Sequence, residues 1–404
     1  MLAMAALLAT PGGALAVSCG SRCQAVRAPG GIGGALAPGP GGSVWVAERG
    51  HVLRLGPRGG SRRVAAPIGA GSDLAPGPGG SVWFAALGGR IGRASRSGRV
   101  TLFAAHVSRV GGLAPAPGGG VWFTAPEGVG LLSAAGVANV VPVPVPGTGP
   151  GVRRHSIATG PDGTPWFLLD SPPGIGHLEG GIVTRLGLGG SFGAGARAIA
   201  AGPDGGMWFT SPGAMAVGRI GADGGIASFP TSQTPYDLIS GPSGALWVTM
   251  KARGPWSIVR LTPSGFATYF QVRRRVAGLA AVGGGVAIAE RGAVERLAPF
   301  LGARPVEIGA VARNGAVGLR LYCPQYDLVF CAGTIELRWH GRLLASAPFS
   351  QRVNDAPVTR LVLTPGARAL VRRHRSLTAV AVIDQHDQGG AHRRSSPAVR
   401  LRWL

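Results

Sequence analysis

The chain is short of lysine, of acid, of cysteine and of helical periodicity. Its only lysine is Lys251; every other cationic residue, histidine aside, is arginine. Against 40 Lys plus Arg stand 17 Asp plus Glu, a formal net charge of +23. A GC-rich coding sequence also favours arginine, but a field of this size attracts anionic surfaces whatever its origin. The arginines are scattered, and no aromatic–basic interleaving marks a stacking platform, which argues against nucleic acid. An anionic cell-envelope polymer fits the charge better. The four cysteines form two close pairs, Cys19/Cys23 and Cys323/Cys331, with no further cluster at zinc-site spacing. Two local disulfides in an oxidising compartment are expected. No apolar run is long enough to span a bilayer. No window keeps a helical period, which excludes a helical bundle. Gly-x-Gly stretches such as Gly39 to Gly42 lack the strand-to-helix context of a nucleotide loop. Neither a nucleophile elbow nor a Ser/His/Asp set is present.

What the chain has in abundance is Gly (71) and Pro (33), and they fall at regular turns. The clearest unit is Ala200 to Thr210, an apolar run, a Gly-Pro-Asp-Gly turn and a Trp-Phe strand. Proline pre-sets the second turn position and Asp-Gly supplies the left-handed bend. The unit recurs with Trp at 45, 83, 122, 166, 208 and 247, and a degenerate copy puts Ala287 in the Trp place. A period of about 40 residues with several strands per unit means propeller blades. Seven are expected, and a ring needs its ends interlocked. Gln24 to Pro29 therefore should pair with the last blade, whose own strands run out after Ala293 to Leu297.

Met1 to Ala16 reads as a secretory h-region ending in small residues, though without a basic n-region. After Phe300 the repeat stops. Six or seven short strands follow, and Pro365 to His374 reads as one helical turn between them. The expected organisation is all-β: a signal-peptide-like segment at 1–17, a seven-bladed β-propeller at 18–300, and a small Ig-like β-sandwich at 306–404.

The repeat Ile-x-x-Gly-Pro-Asp-Gly-x-x-Trp-Phe-Thr, with Ile-Gly-Arg after it, resembles the virginiamycin B lyase (streptogramin lyase) family of seven-bladed propellers. The resemblance implies an enzyme that opens the ring ester of streptogramin B antibiotics by elimination. It further implies metal-assisted, base-catalysed proton abstraction with Mg bound at one face. In such blades a His sits two residues before the inner-strand Ile, and a Glu three residues after the Trp. Here the His position holds His155, Arg197, Tyr236 and Ala277 in blades four to seven. The Glu position holds Glu48 in blade one and Glu290 in blade seven. Glu290, His155 and Tyr236 are thus the candidate catalytic residues, and Glu290 with Glu48 the candidate Mg ligands. Glu48, Arg49, Arg197, Asp237 and Arg291 are candidates for binding at the channel face. Since the later histidines are replaced, the expectation is a diverged secreted or envelope-associated monomer. It would bind a small-molecule or peptide ligand at the propeller face, without a certain cofactor. The alternative is a streptogramin B lyase that uses Mg. Asp162 and Asp204 read as turn residues, and the arginines of the last hundred residues as a basic, solvated surface.

Overall fold

The structure, a computed structural model, describes residues 17–18, 23–27, 32–57, 60–69, 71–143, 152–170, 172–192, 195–242, 244–251, 256–265, 267–272, 275–283, 285–290, 293–297, 304–305, 310–311, 315–322, 330–352, 358–387, 392–396 and 398–403. The chain divides into two compact units, Met1–Ala298 and Pro299–Leu404.

The first unit is all-β and propeller-like. Among the described residues it forms seven largely antiparallel sheets, numbered here in chain order. Their inner strands are Ile32–Pro38, Leu74–Pro76, Leu113–Pro115, Val152–Thr159, Ala198–Ala201, Thr234–Gly241 and Val276–Val282. Each inner strand touches the next, and that of sheet seven touches that of sheet one, so the ring is closed. Sheet seven takes its outer strand from the other end of the unit. Cys23–Arg27 pairs antiparallel with Ala293–Leu297, Cys23 opposite Leu297 and Arg27 opposite Ala293. Residues 28–29, expected in this strand, lie outside the described residues. So do residues 1–16, while Val17–Ser18 pairs in parallel with Phe270 and Gln271 at the edge of sheet six.

The repeat residues explain how the sheets stack. Trp45, Trp83, Trp208 and Trp247 are fully buried. Each packs onto the following sheet, as Trp45 does on Leu74, Val82 and Phe84. Removing such an indole costs about 3–5 kcal/mol. The arginine of Ile-Gly-Arg crosses the indole: the Arg93 guanidinium lies 5.0 Å from the Trp83 ring centre. In sheet four His177 stacks on Trp166 instead, at 4.2 Å. The glycine of the same motif makes room for the ring after the Trp. Phe84, Phe123, Phe167 and Phe209 stand opposite Gly92, Gly130, Gly176 and Gly218. Where Val46 replaces the Phe, Leu53 replaces the Gly. Third, a threonine two residues after the Trp ties its strand to the inner one. The hydroxyls of Thr124, Thr210 and Thr249 accept from the backbone N–H groups of Gly112, Ala198 and Asp237 at 2.7, 3.1 and 2.9 Å.

In the second unit Phe330–Trp339 pairs with Arg342–Arg352 on one side and Ser376–Asp387 on the other. Ala398–Trp403 extends this sheet, and Ala316–Tyr322 pairs with Val358–Val362. Val317, Leu319, Ile335, Leu337, Leu361 and Ile383 fill one core. Pro365–His374 is not a single turn but a ten-residue helix. Thr364 caps it by accepting from the Ala367 N–H, and proline occupies its first turn. Ala367 and Val371, one turn apart, face the core, while Arg372 and Arg373 face solvent.

Candidate functional site

The inner strands of all seven sheets enclose a cavity of about 1410 Å³. One register position supplies much of its polar lining. Ten residues before the Trp stand Asp73 in sheet two, Ser156 in sheet four and Asp237 in sheet six. The same position holds Ala35, Gly112 and Ala198 in sheets one, three and five. Polar and small residues thus alternate from sheet one to sheet six.

Both aspartates are fixed by backbone groups. Asp73 accepts from the N–H of Leu74 through one carboxylate oxygen and from that of Leu113, in the next sheet, through the other, each at 2.9 Å. Asp237 accepts from the Leu238 N–H at 3.0 Å. Burial pushes the Asp237 carboxyl up to about 6. The Leu238 N–H and the Arg197 guanidinium oppose that rise, while the Asp73 charge adds to it.

Next to Asp237 a stack of three side chains forms one side of the cavity. The Arg197 guanidinium carbon lies 4.6 Å from the Tyr236 ring centre, and the Tyr236 and Trp256 rings are 5.3 Å apart. Their strands are tied through the backbone. The Thr210 hydroxyl donates to the Tyr236 carbonyl at 2.8 Å, and the Ser156 hydroxyl donates to the Arg197 carbonyl at 3.0 Å. Asp170 and Arg275 also line the cavity. A guanidinium over a ring, beside two carboxylates, can hold a flat ligand and orient its charged ends.

Of the residues singled out in the sequence, Arg197, Tyr236 and Asp237 line this cavity. Glu48, Arg49 and Glu290 are not among its described lining residues. Glu48 and Glu290 are instead buried at strand ends, 1% and 2% exposed. Glu48 accepts from Arg63 Nε at 2.9 Å. His155 belongs to Val152–Thr159, but its side chain lies outside the described residues, as does Arg291. The sulfurs of Cys19, Cys23, Cys323 and Cys331 lie outside them too, and among the described residues there is no disulfide.

The Mg ligand set does not fit. Mg takes oxygen ligands in an open octahedron. Glu48 has given one oxygen to a guanidinium, and neither Glu48 nor Glu290 reaches the cavity. Among the described residues no group of three His, Cys, Asp or Glu is placed to hold a metal ion.

Asp73, Asp170, Trp256 and Arg275 escape a reading of the sequence. Asp73 sits in Gly-Ser-Asp, which looks like turn chemistry; counting back ten residues from the Trp would have matched it to Asp237.

Comparison with known proteins places this ring of sheets in a class. The model of the Virginiamycin B lyase family matches residues 22–294, and the chain belongs to that family. Virginiamycin B lyase of Nocardia farcinica (strain IFM 10152) is 29% identical over 194 residues, 45% of this chain and 67% of that protein. Among solved structures, a streptogramin B lyase aligns with a TM-score of 0.60 at 21% identity, covering 68% of this chain and 96% of its own. A catalytically inactive virginiamycin B lyase from Staphylococcus aureus, crystallised with quinupristin, gives 0.60 at 21% identity over 68% and 98%. The extracellular domain of a putative hybrid two-component system from B. thetaiotaomicron gives 0.54 at 10% identity, over 95% of this chain and 57% of that one. At these identities the solved structures establish the fold alone.

Proposed function

We propose that this chain is a diverged member of the family that binds a small-molecule or peptide ligand at the propeller face, in the cavity enclosed by its inner strands, and lacks the elimination chemistry. One observation carries the reading. The side chains that converge on the cavity are Asp73, Arg197, Tyr236, Asp237 and Trp256, whereas Glu290 is buried in its strand outside it. A base must come within hydrogen-bond reach of the proton it takes. A secreted or envelope placement is supported by the leader-like 1–17 and by the extracellular origin of the two-component neighbour. No described helix is long and apolar enough to cross a membrane. We read the second unit as Ig-like because its short strands, mostly antiparallel, pack around one apolar core, with Ala310–Val311 running parallel to Arg402–Trp403. Its basic surface remains a candidate for an anionic envelope polymer.

The alternative, a streptogramin B lyase, is supported by the 29% identity to a virginiamycin B lyase. It would have to draw its base from the channel, from Asp237 or Tyr236. Calorimetric titration of quinupristin into the full chain in EDTA tests the binding reading. Metal-independent binding that Trp256→Ala weakens about tenfold or more is expected. No binding, or binding indifferent to Trp256, overturns it.

A further inference from the structure

We propose that the polar end of the channel is an ammonium site. It holds the protonated amine of a ligand between Asp73 and Asp237, with the ligand's adjoining flat group against Trp256 and Tyr236. The proposal rests on the channel-binding reading and names the ligand chemistry.

The first support is placement. Asp73 and Asp237 occupy the same repeat position in sheets two and six, on different sides of the ring, and both face one cavity. Acids are scarce in this chain, 17 against 40 basic residues. A third, Asp170, lines the same cavity. Asp73 is held by two backbone N–H groups and Asp237 by one. Two like charges in a partly dehydrated site repel, and a ligand cation between them relieves that repulsion.

The second support is how the nearby cation is held. Arg197 acts on Asp237 electrostatically, but its guanidinium lies over the Tyr236 ring. Among the described residues no ion pair within 4.0 Å joins it to Asp237. One oxygen of Asp237 accepts from the Leu238 N–H, which leaves the other with no described protein donor. An ammonium group needs only acceptors and an aromatic face, and both are here. A divalent metal needs more ligands than the described residues offer.

Among the described residues, the charged and titratable groups that line the cavity with Asp237 are Asp73, Asp170, Arg197, Tyr236 and Arg275. Of these, Asp73 and Arg197 are the ones that move its carboxyl, and the result, about 6, puts its charge change within reach of mild acid. Amine binding should therefore weaken as pH falls through that value.

The test is calorimetric titration of the full chain with phenylethylamine and with its neutral N-acetyl derivative. The amine is expected to bind at least about tenfold more tightly than the acetyl compound above pH 7, and to lose that preference near pH 5. Asp73→Asn and Asp237→Asn should each weaken the amine about tenfold and leave the acetyl compound unchanged. The comparison of the two compounds and the pH series need no variant, so a folding defect does not blunt them. Phenylalaninamide and glucosamine, run alongside, tell a peptide amino terminus from an amino sugar, and binding of either in the same pH-dependent way supports the site. Equal affinity for amine and acetyl compound, or amine binding indifferent to both Asn variants, overturns the proposal. So does the absence of binding by every amine. If quinupristin still binds in a Trp256-dependent way, only the ammonium site falls; if that fails as well, the channel reading falls with it.

Discussion

Asp73 raises the carboxyl of Asp237 from across the channel, although the two belong to sheets two and six. Burial is the larger cause of the rise to about 6, and both causes act only in the folded chain. The sign follows directly. An acid whose folded value lies above its unfolded one binds its proton more tightly when folded. It therefore destabilises the fold while charged, and that penalty fades as pH falls through about 6 towards the unfolded value of 3.8. Asp237→Asn keeps the oxygen that accepts from Leu238 and removes the charge. It should stabilise the protein by about 1–3 kcal/mol at neutral pH and by much less near pH 4. Urea unfolding at the two pH values measures this; equal effects at both would contradict it. A stabilising substitution at a cavity residue is what a site kept for binding leads one to expect.

The Phe209 ring lies directly over Gly218. A Cβ added at Gly218 would stand 2.1 Å from the Phe209 ring tip. Gly218→Ala should therefore cost about 1–3 kcal/mol through overpacking. Sheet one solves the same space with Val46 opposite Leu53. The double change Phe209→Val with Gly218→Leu should consequently be more stable than the two single effects summed. A double-mutant cycle by denaturant unfolding reads the coupling, and simple additivity would contradict the account.

Asp204 differs from the turn glycines in what it does for the indole. Asp204 accepts from the Trp208 indole N–H at 2.9 Å and also takes the Arg219 guanidinium. Burial alone would raise its carboxyl, but these donors hold it below the usual range. At the matching turn position sheet two has Gly79, and the Trp83 indole nitrogen has no partner among the described residues. Asp204→Ala should thus cost about 1–3 kcal/mol, since it strands a buried donor. Trp83→Phe should cost less than Trp208→Phe, because only the second gives up a bond. Thermal unfolding of the three variants checks the order.

Closure of the ring rests on a strand far away in sequence. Without Cys23–Arg27 the backbone of Ala293–Leu297 becomes an open sheet edge. A chain begun at Ile32 should unfold at a clearly lower temperature and tend to self-associate. Scanning calorimetry with light scattering measures both; an unchanged midpoint would show that closure contributes little.

The repeat was legible because its signals are local. Turn residues and a following Trp sit within ten positions of each other, and together they mark one sheet of the ring. Arg197, Tyr236 and Asp237 were reachable by the same counting. Glu48 and Glu290 end the second strands of their sheets, behind the inner strands Ile32–Pro38 and Val276–Val282 that line the cavity. Counting from the Trp gives their position along the strand, but not that this strand end is buried away from the cavity. The helix Pro365–His374 reads as a single turn in the sequence because only Ala367 and Val371 form its apolar face, too few to show a period.

The most direct test of the account concerns turnover. The full chain is incubated with quinupristin in Mg and in EDTA, beside Glu290→Gln, and ring opening is followed by mass spectrometry. The account predicts no ring-opened product above the protein-free control in any sample. Mg-dependent opening without a gain of water mass, lost in Glu290→Gln, would contradict it and return Glu290 to the centre of a working lyase.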